Sequence, residues 1–150
     1  RYTMQYLDLN ALHQKHREIG FEIIGFPSSN FLNQEPGGNM EMILNGLKYV
    51  QPGNGFVPSF RLSSKIDVNG QHEHPVFTYL KSSCARPQQE FADIKKLLYS
   101  PLRQSDISWN FEKFLIDREG RPIRRYHPGI TPRDIESDII NVLLYGYIPI

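Results

Sequence analysis

Ser108-Trp109-Asn110-Phe111-Glu112-Lys113-Phe114-Leu115-Ile116 holds the only tryptophan of the chain and sets a polar pair, Trp109-Asn110, at the mouth of an apolar run. The run predicts a mostly buried strand over 111–116. Asp117 to Gly120 reads as a turn, and Pro122-Ile123-Arg124-Arg125-Tyr126 returns as the second strand of a hairpin. An indole N–H beside an asparagine amide places two fixed neutral donors at the end of a rigid element, which suits stabilisation of an anionic centre. The commoner role of such a pair is packing by the tryptophan and turn capping by the asparagine. Strand alternation sends Arg124 and Arg125 to opposite faces, so at least one guanidinium is expected free to hold a carboxylate in a bidentate grip; ordinary surface charge is the competing reading.

Outward from the hairpin, helices and short extended segments alternate. A helix is predicted over 3–18, with Leu9, Leu12, His16 and Ile19 on one face and Gly20 as its stop. Residues 21–26 read as a strand buried on both faces, ended by Pro27. Asn39 caps a helix striped by Met40, Ile43, Leu44 and Leu47. Residues 56–68 are extended and irregular, and Asn69-Gly70 is a turn. Pro75 opens a helix facing inward through Val76, Phe77 and Leu80. A long connection over 84–104 is expected to carry a short helix at 91–98; loops of that length are commonly functional. Thr131-Pro132 then caps a helix packing through Ile135, Ile139, Val142 and Leu143. The order describes one α/β domain over 1–150. Because it opens on a helix, a strand is expected ahead of it.

The totals narrow the function. With 17 basic against 16 acidic residues and a net charge of +1, nothing argues for nucleic acid or an anionic membrane. The C-terminal apolar run 142–150 is too short to span a bilayer. A single cysteine, Cys84, permits no internal disulfide and no thiolate metal cluster, and fits a reducing, cytoplasmic setting. Nothing basic is fixed beside Cys84 by sequence, so it reads as a structural thiol. His72-Glu73-His74 lacks a third metal ligand at a useful spacing and reads as a solvated cluster. His13 and His16 read as an exposed or half-buried helix face. Ser28-Ser29 lacks the glycines of a nucleophile elbow.

A set of strings, taken in order, goes further: Gly25-Phe26-Pro27, Phe31, Gln34-Glu35-Pro36, Ile43-Leu44-Asn45-Gly46-Leu47-Lys48-Tyr49-Val50, Pro52-Gly53-Asn54-Gly55-Phe56, Asp67-Val68-Asn69-Gly70, Trp109-Asn110-Phe111-Glu112-Lys113-Phe114-Leu115 and Arg124-Arg125-Tyr126. Together they resemble the animal glutathione peroxidase family over nearly the whole chain. The resemblance implies a thioredoxin-like fold, a mixed sheet flanked by helices, here lacking its N-terminal strand. It implies reduction of hydrogen peroxide and organic hydroperoxides by glutathione, with no further cofactor. The family's selenocysteine or cysteine nucleophile is surrounded by a glutamine, a tryptophan and an asparagine, which map to Gln34, Trp109 and Asn110. The nucleophile itself is expected immediately before Arg1, so the full protein is expected to extend upstream. Arg124 and Arg125 match the pair used for glutathione's carboxylates, and the 84–104 connection resembles the loop of homotetrameric members. The family's loop cysteine is replaced within Phe26-Pro27-Ser28-Ser29-Asn30-Phe31, and Gln5 and Gln51 stand where some members carry arginine. A secreted form is the alternative to a cytoplasmic one. A non-catalytic relative, fragment or oligomer subunit without the peroxidatic residue is the alternative to an enzyme.

Overall fold

The computed structural model describes residues 2–35, 37–86 and 94–150. Its backbone contacts divide the chain into two compact units, 1–27 with 35–65 and 131–150, and 28–34 with 66–130.

The first unit holds helix α1 (Gln5–His16), strand β1 (Ile24–Gly25), helix α2 (Met40–Tyr49), strand β2 (Arg61–Leu62) and helix α4 (Pro132–Tyr145). Gly20 ends the helical turn after α1 in the left-handed conformation, φ 101°, as a stop residue without Cβ allows. The α2 cap is as expected: Asn39 Oδ1 accepts the Met42 N–H at 2.9 Å. Ile43 and Leu47 pack with Phe56 into a core that Tyr6 and Leu62 cover, and burial raises the Tyr6 hydroxyl well above its ordinary value. Leu44, by contrast, stays on the exposed edge of the stripe.

Three expectations are corrected in this unit. Ile19 is exposed, while His13 and His16 are buried with Leu12. Polar partners explain this: His13 Nδ1 meets Ser59 Oγ at 2.9 Å and its Nε2 lies 2.9 Å from Glu22, while His16 Nε2 meets Glu136 of α4 at 2.8 Å. A histidine supplied with partners is buried without leaving its ring nitrogens unpaired. The strand expected over 21–26 contracts to β1, which pairs in parallel with β2 through Ile24↔Arg61 and Gly25↔Leu62. It is not buried on both faces, since Ile24 is 55% exposed.

The second unit holds helix α3 (Pro75–Ser83) and the hairpin β3 (Lys113–Ile116) and β4 (Pro122–Tyr126). His74 Nδ1 caps α3 by accepting the Val76 N–H at 3.2 Å. Phe77 and Leu80 face inward, Val76 does not, and Lys81 is buried in its place. The hairpin is antiparallel and registers Phe114 with Arg125 and Leu115 with Arg124. Its first strand starts at Lys113 because Phe111 adopts φ 67°, a left-handed conformation that no strand continues through. The strand is half-buried throughout, apart from an exposed Ile116, rather than mostly buried. The helix expected over 91–98 falls partly outside the described residues; within them, Ile94–Lys96 forms a 3-10 turn. Parallel and antiparallel pairing are thus both present, as two separate pairs among the described residues.

Candidate active site

The loop carrying Gln34 is built from Asn30. This residue is 3% exposed, and its Oδ1 accepts from Ser28 Oγ at 3.0 Å, from the Val68 N–H at 2.8 Å and from the Asn69 N–H at 3.3 Å. Ser28 is therefore a loop brace. Phe31 is buried and bridges antiparallel to Leu97. Leu32 and Asn33 then turn through the left-handed region at φ 52° and 49°. The Leu32 N–H donates to the Lys96 carbonyl at 3.0 Å, and the Gln34 N–H returns to the Phe31 carbonyl at 3.1 Å. Two successive left-handed residues are costly without glycine; the flanking bonds hold them, and Gln34 emerges exposed beyond the turn.

Opposite Gln34 lies the Trp109-Asn110 turn. Asn69, 1% exposed, clasps the backbone before it: its Nδ2 donates to the Ile107 carbonyl at 2.8 Å and its Oδ1 accepts the Ile107 N–H at 2.7 Å. The Trp109 ring packs on Phe31 with centroids 5.3 Å apart and planes at 48°. Asn110 Nδ2 donates to Gln34 Oε1 at 3.0 Å. The structure thus brings Gln34, Trp109 and Asn110 into one cluster. The Asn110 bond takes one lone pair of the Gln34 carbonyl oxygen and none of that side chain's amide hydrogens. Those hydrogens, the indole N–H and the remaining Asn110 hydrogen make a set of neutral donors. Such a set holds an anionic atom without introducing a competing cation.

The arginine pair divides as strand alternation requires. Arg124 is exposed. Arg125 is not available to a ligand: its side chain is 1% exposed and ion-paired through Nε to Glu112. Its Nη1 donates to the Cys84 carbonyl at 3.2 Å, its Nη2 to the Asp106 carbonyl at 2.9 Å, and the guanidinium lies 5.2 Å from the Phe114 ring centroid. Cys84 is half-buried, with its thiol 3.5 Å from the Pro122 carbonyl; burial raises the thiol, against a smaller lowering by Arg125. Glu73, from the His-Glu-His cluster, turns inward to Lys81 at 2.7 Å. Among the described residues no group of histidines, cysteines and carboxylates is arranged to hold a metal ion.

Sequence reasoning gave Glu112 no role. Its carboxylate accepts from the Ser108 N–H at 2.6 Å and from Ser108 Oγ at 2.9 Å, bracing the turn that carries Trp109 and Asn110. The adjacent charges Glu112 and Lys113, set among Phe111, Phe114, Leu115 and Ile116, were the available signal.

Comparison with known proteins now places the chain in a class. The glutathione peroxidase family model matches residues 1–81, and the chain belongs to that family. It is 45% identical over 141 residues to the epididymal secretory glutathione peroxidase of Macaca fascicularis, covering 94% of this chain and 63% of that protein. It is 46% identical over 146 residues to glutathione peroxidase 3 of Caenorhabditis elegans, covering 95% of this chain and 65% of that protein. The chain therefore spans just under two thirds of the length of these relatives. Among solved structures it resembles T. cruzi GPX1, with TM-score 0.59, 28% identity, and coverage of 96% of this chain and 74% of that one. It also resembles Trgpx in apo form, with TM-score 0.63 and 26% identity. The α/β, thioredoxin-like fold expected from the sequence is the fold of this chain. The expectation of a cytoplasmic location finds no support in relatives named secretory. Among the described residues no helix is long and apolar enough to cross a membrane.

Proposed function

We propose that the protein to which this chain belongs reduces hydrogen peroxide and organic hydroperoxides with glutathione. The observation that carries this reading is the Asn110–Gln34 hydrogen bond beside the Phe31–Trp109 contact. It joins neutral donors from two separate loops into one anion-stabilising cluster. A selenocysteine or cysteine supplies the nucleophile in this reading. Gln34, Trp109 and Asn110 keep it ionised and steady the charge that moves when the peroxide O–O bond breaks. Arg124, on the exposed face of β4, takes a glutathione carboxylate. Arg125 is withdrawn from that role by its internal partners. Family membership supports glutathione as reductant, the secretory relatives favour a secreted protein, and a homotetramer is the assembly we infer from the long 84–104 connection.

Glutathione-dependent peroxide consumption by the full-length protein tests the reading. Removing one oxyanion-type donor costs about 10²–10³ in rate, so Asn110→Ala and Gln34→Ala are each expected to lower peroxide turnover by about that factor. Arg124→Ala is expected to raise the glutathione KM roughly tenfold, as for loss of one charge-assisted bond, with little change at saturating glutathione. A full-length protein that consumes no peroxide with glutathione returns the case to a non-catalytic relative.

A further inference from the structure

We propose that Glu112 and Arg125 are positioning residues, a buried clamp that fixes the Trp109-Asn110 turn against Gln34. The inference rests on the site assignment above. Arg125 is closed to a ligand, because its side chain is 1% exposed and each of its three nitrogens already has a partner in Glu112, the Cys84 carbonyl or the Asp106 carbonyl. Its pairing holds one carboxylate oxygen of Glu112. The other oxygen accepts both Ser108 hydrogen bonds, at 2.6 and 2.9 Å. Residues 108 and 112 are thereby tied across the turn, with Trp109, Asn110 and Phe111 between them. The same guanidinium holds the Asp106 carbonyl, one residue before the Ile107 backbone that Asn69 clasps. On the far side, Lys113 Nζ donates to the Phe111 carbonyl at 2.6 Å and to the Ile130 carbonyl at 2.9 Å.

The turn needs such a clamp. Phe111 sits at φ 67°, a conformation that a residue with a Cβ relaxes out of unless its surroundings over-determine it. Relaxation there would swing the neighbouring Asn110 amide off Gln34 and loosen Trp109 on Phe31. The buried ion pair therefore acts on the donors through Ser108, without touching a substrate.

Trp109 is the only tryptophan of these 150 residues, so in the full-length protein its emission, taken as the difference from Trp109→Phe, reports the turn and needs no turnover. In Glu112→Ala we expect a red-shifted emission and stronger quenching by acrylamide. Ser108→Ala loses the hydroxyl bond but keeps the N–H bond, and a smaller change in the same direction is expected. Glu112→Gln keeps one acceptor for Ser108 but sets an amide NH2 against the Arg125 guanidinium, so a change between those of Ser108→Ala and Glu112→Ala is expected. A folded Glu112→Ala with parental quenching overturns the proposal. If Glu112→Ala does not fold, Ser108→Ala decides, and a parental spectrum there overturns it equally. In the full-length protein, the rate losses of Glu112→Ala and Trp109→Phe should combine to less than their product, as for groups acting as one unit; independent losses overturn the positioning role. An inactive full-length protein would remove the peroxidase reading while the fluorescence result still decides the clamp.

Discussion

Lys81 carries its charge into the interior of the second unit, where its side chain is 4% exposed. Its ammonium lies 2.7 Å from Glu73 and 3.2 Å from Asp106, and donates to Asn69 Oδ1 at 3.2 Å. Asn69 is the residue that clasps Ile107 ahead of Trp109, so this charge cluster underlies the site. Removing the cation leaves the fully buried Asp106 carboxylate without its cationic partner and Glu73 with only the exposed Arg103 at 3.4 Å, a loss of about 3–5 kcal/mol. Urea unfolding of Lys81→Met is expected to show that deficit, and adding Glu73→Gln to recover part of it; a deficit under about 1 kcal/mol would make the cluster an incidental surface pairing. None of this was legible from the α3 pattern, because amphipathic spacing marks which face is inward and not which polar residue finds partners there. Gln34, Trp109 and Asn110 were legible because a specific string carried them. Arg125 was legible only as one member of an alternating pair. Which of two adjacent arginines turns inward depends on Glu112 and two distant carbonyls, and no local rule encodes that.

The helices were read more closely than the strands because their ends are set by chemistry within a few residues. Thr131 and Asp134 form a reciprocal box at the start of α4. Thr131 Oγ1 donates to Asp134 Oδ2 at 2.7 Å, the Thr131 N–H donates to the same oxygen at 3.0 Å, and the Asp134 N–H returns to Oγ1 at 3.4 Å. These bonds hold the Asp134 carboxyl below its ordinary value, the Thr131 side-chain bond contributing most. Thr131→Ala is expected to destabilise by about 1 kcal/mol and to let the Asp134 pKa rise, which a thermal melt and a carboxyl titration by NMR would check. Strand extents depend instead on which backbone lies alongside. Residues 21–26 carry a strand-like sequence, yet ladder bonds form only at Ile24 and Gly25, where Arg61 and Leu62 run beside them. Residues 111–116 lose their first two positions to a turn whose geometry is fixed by Glu112 and Lys113 side chains. Periodicity contains no information on either outcome.

The pH response of stability draws on groups from across the molecule, and two of them act at opposite ends of the pH range, each making stability rise with pH. Glu136 of α4 accepts from Lys15 and His16 of α1, and those bonds, Lys15 first, hold its carboxyl below the ordinary glutamate value. Its contribution is complete above the unfolded value, about 4.3, and is lost as pH falls through the lower folded value. The deficit of Glu136→Gln should therefore shrink from neutral pH toward pH 3. Lys113 works at the alkaline end. Burial among the Phe111, Pro128 and Ile130 carbonyls lowers its ammonium to about 8, against a smaller opposing pull from Glu112. Between that value and the unfolded lysine value of about 10.4, the unfolded chain binds more protons than the folded one, so this group makes stability rise with pH. Below pH 8 the full cost of keeping the charge inside is present. Lys113→Arg keeps its charge throughout this range, so the stability of the parent relative to Lys113→Arg is expected to climb between about pH 8 and 9.5. The slope should stay below about 1.4 kcal/mol per pH unit, the value for one whole proton, because this lysine is partly solvated. Tyr6, Tyr99 and Cys84 are raised by burial and lower stability as they ionise in the unfolded chain, but they are common to both proteins and cancel in the difference. A difference that stays flat from pH 7 to 9.5 in chemical denaturation would mean that the ammonium is solvated, and that the bond to Phe111 does not hold the turn from that side.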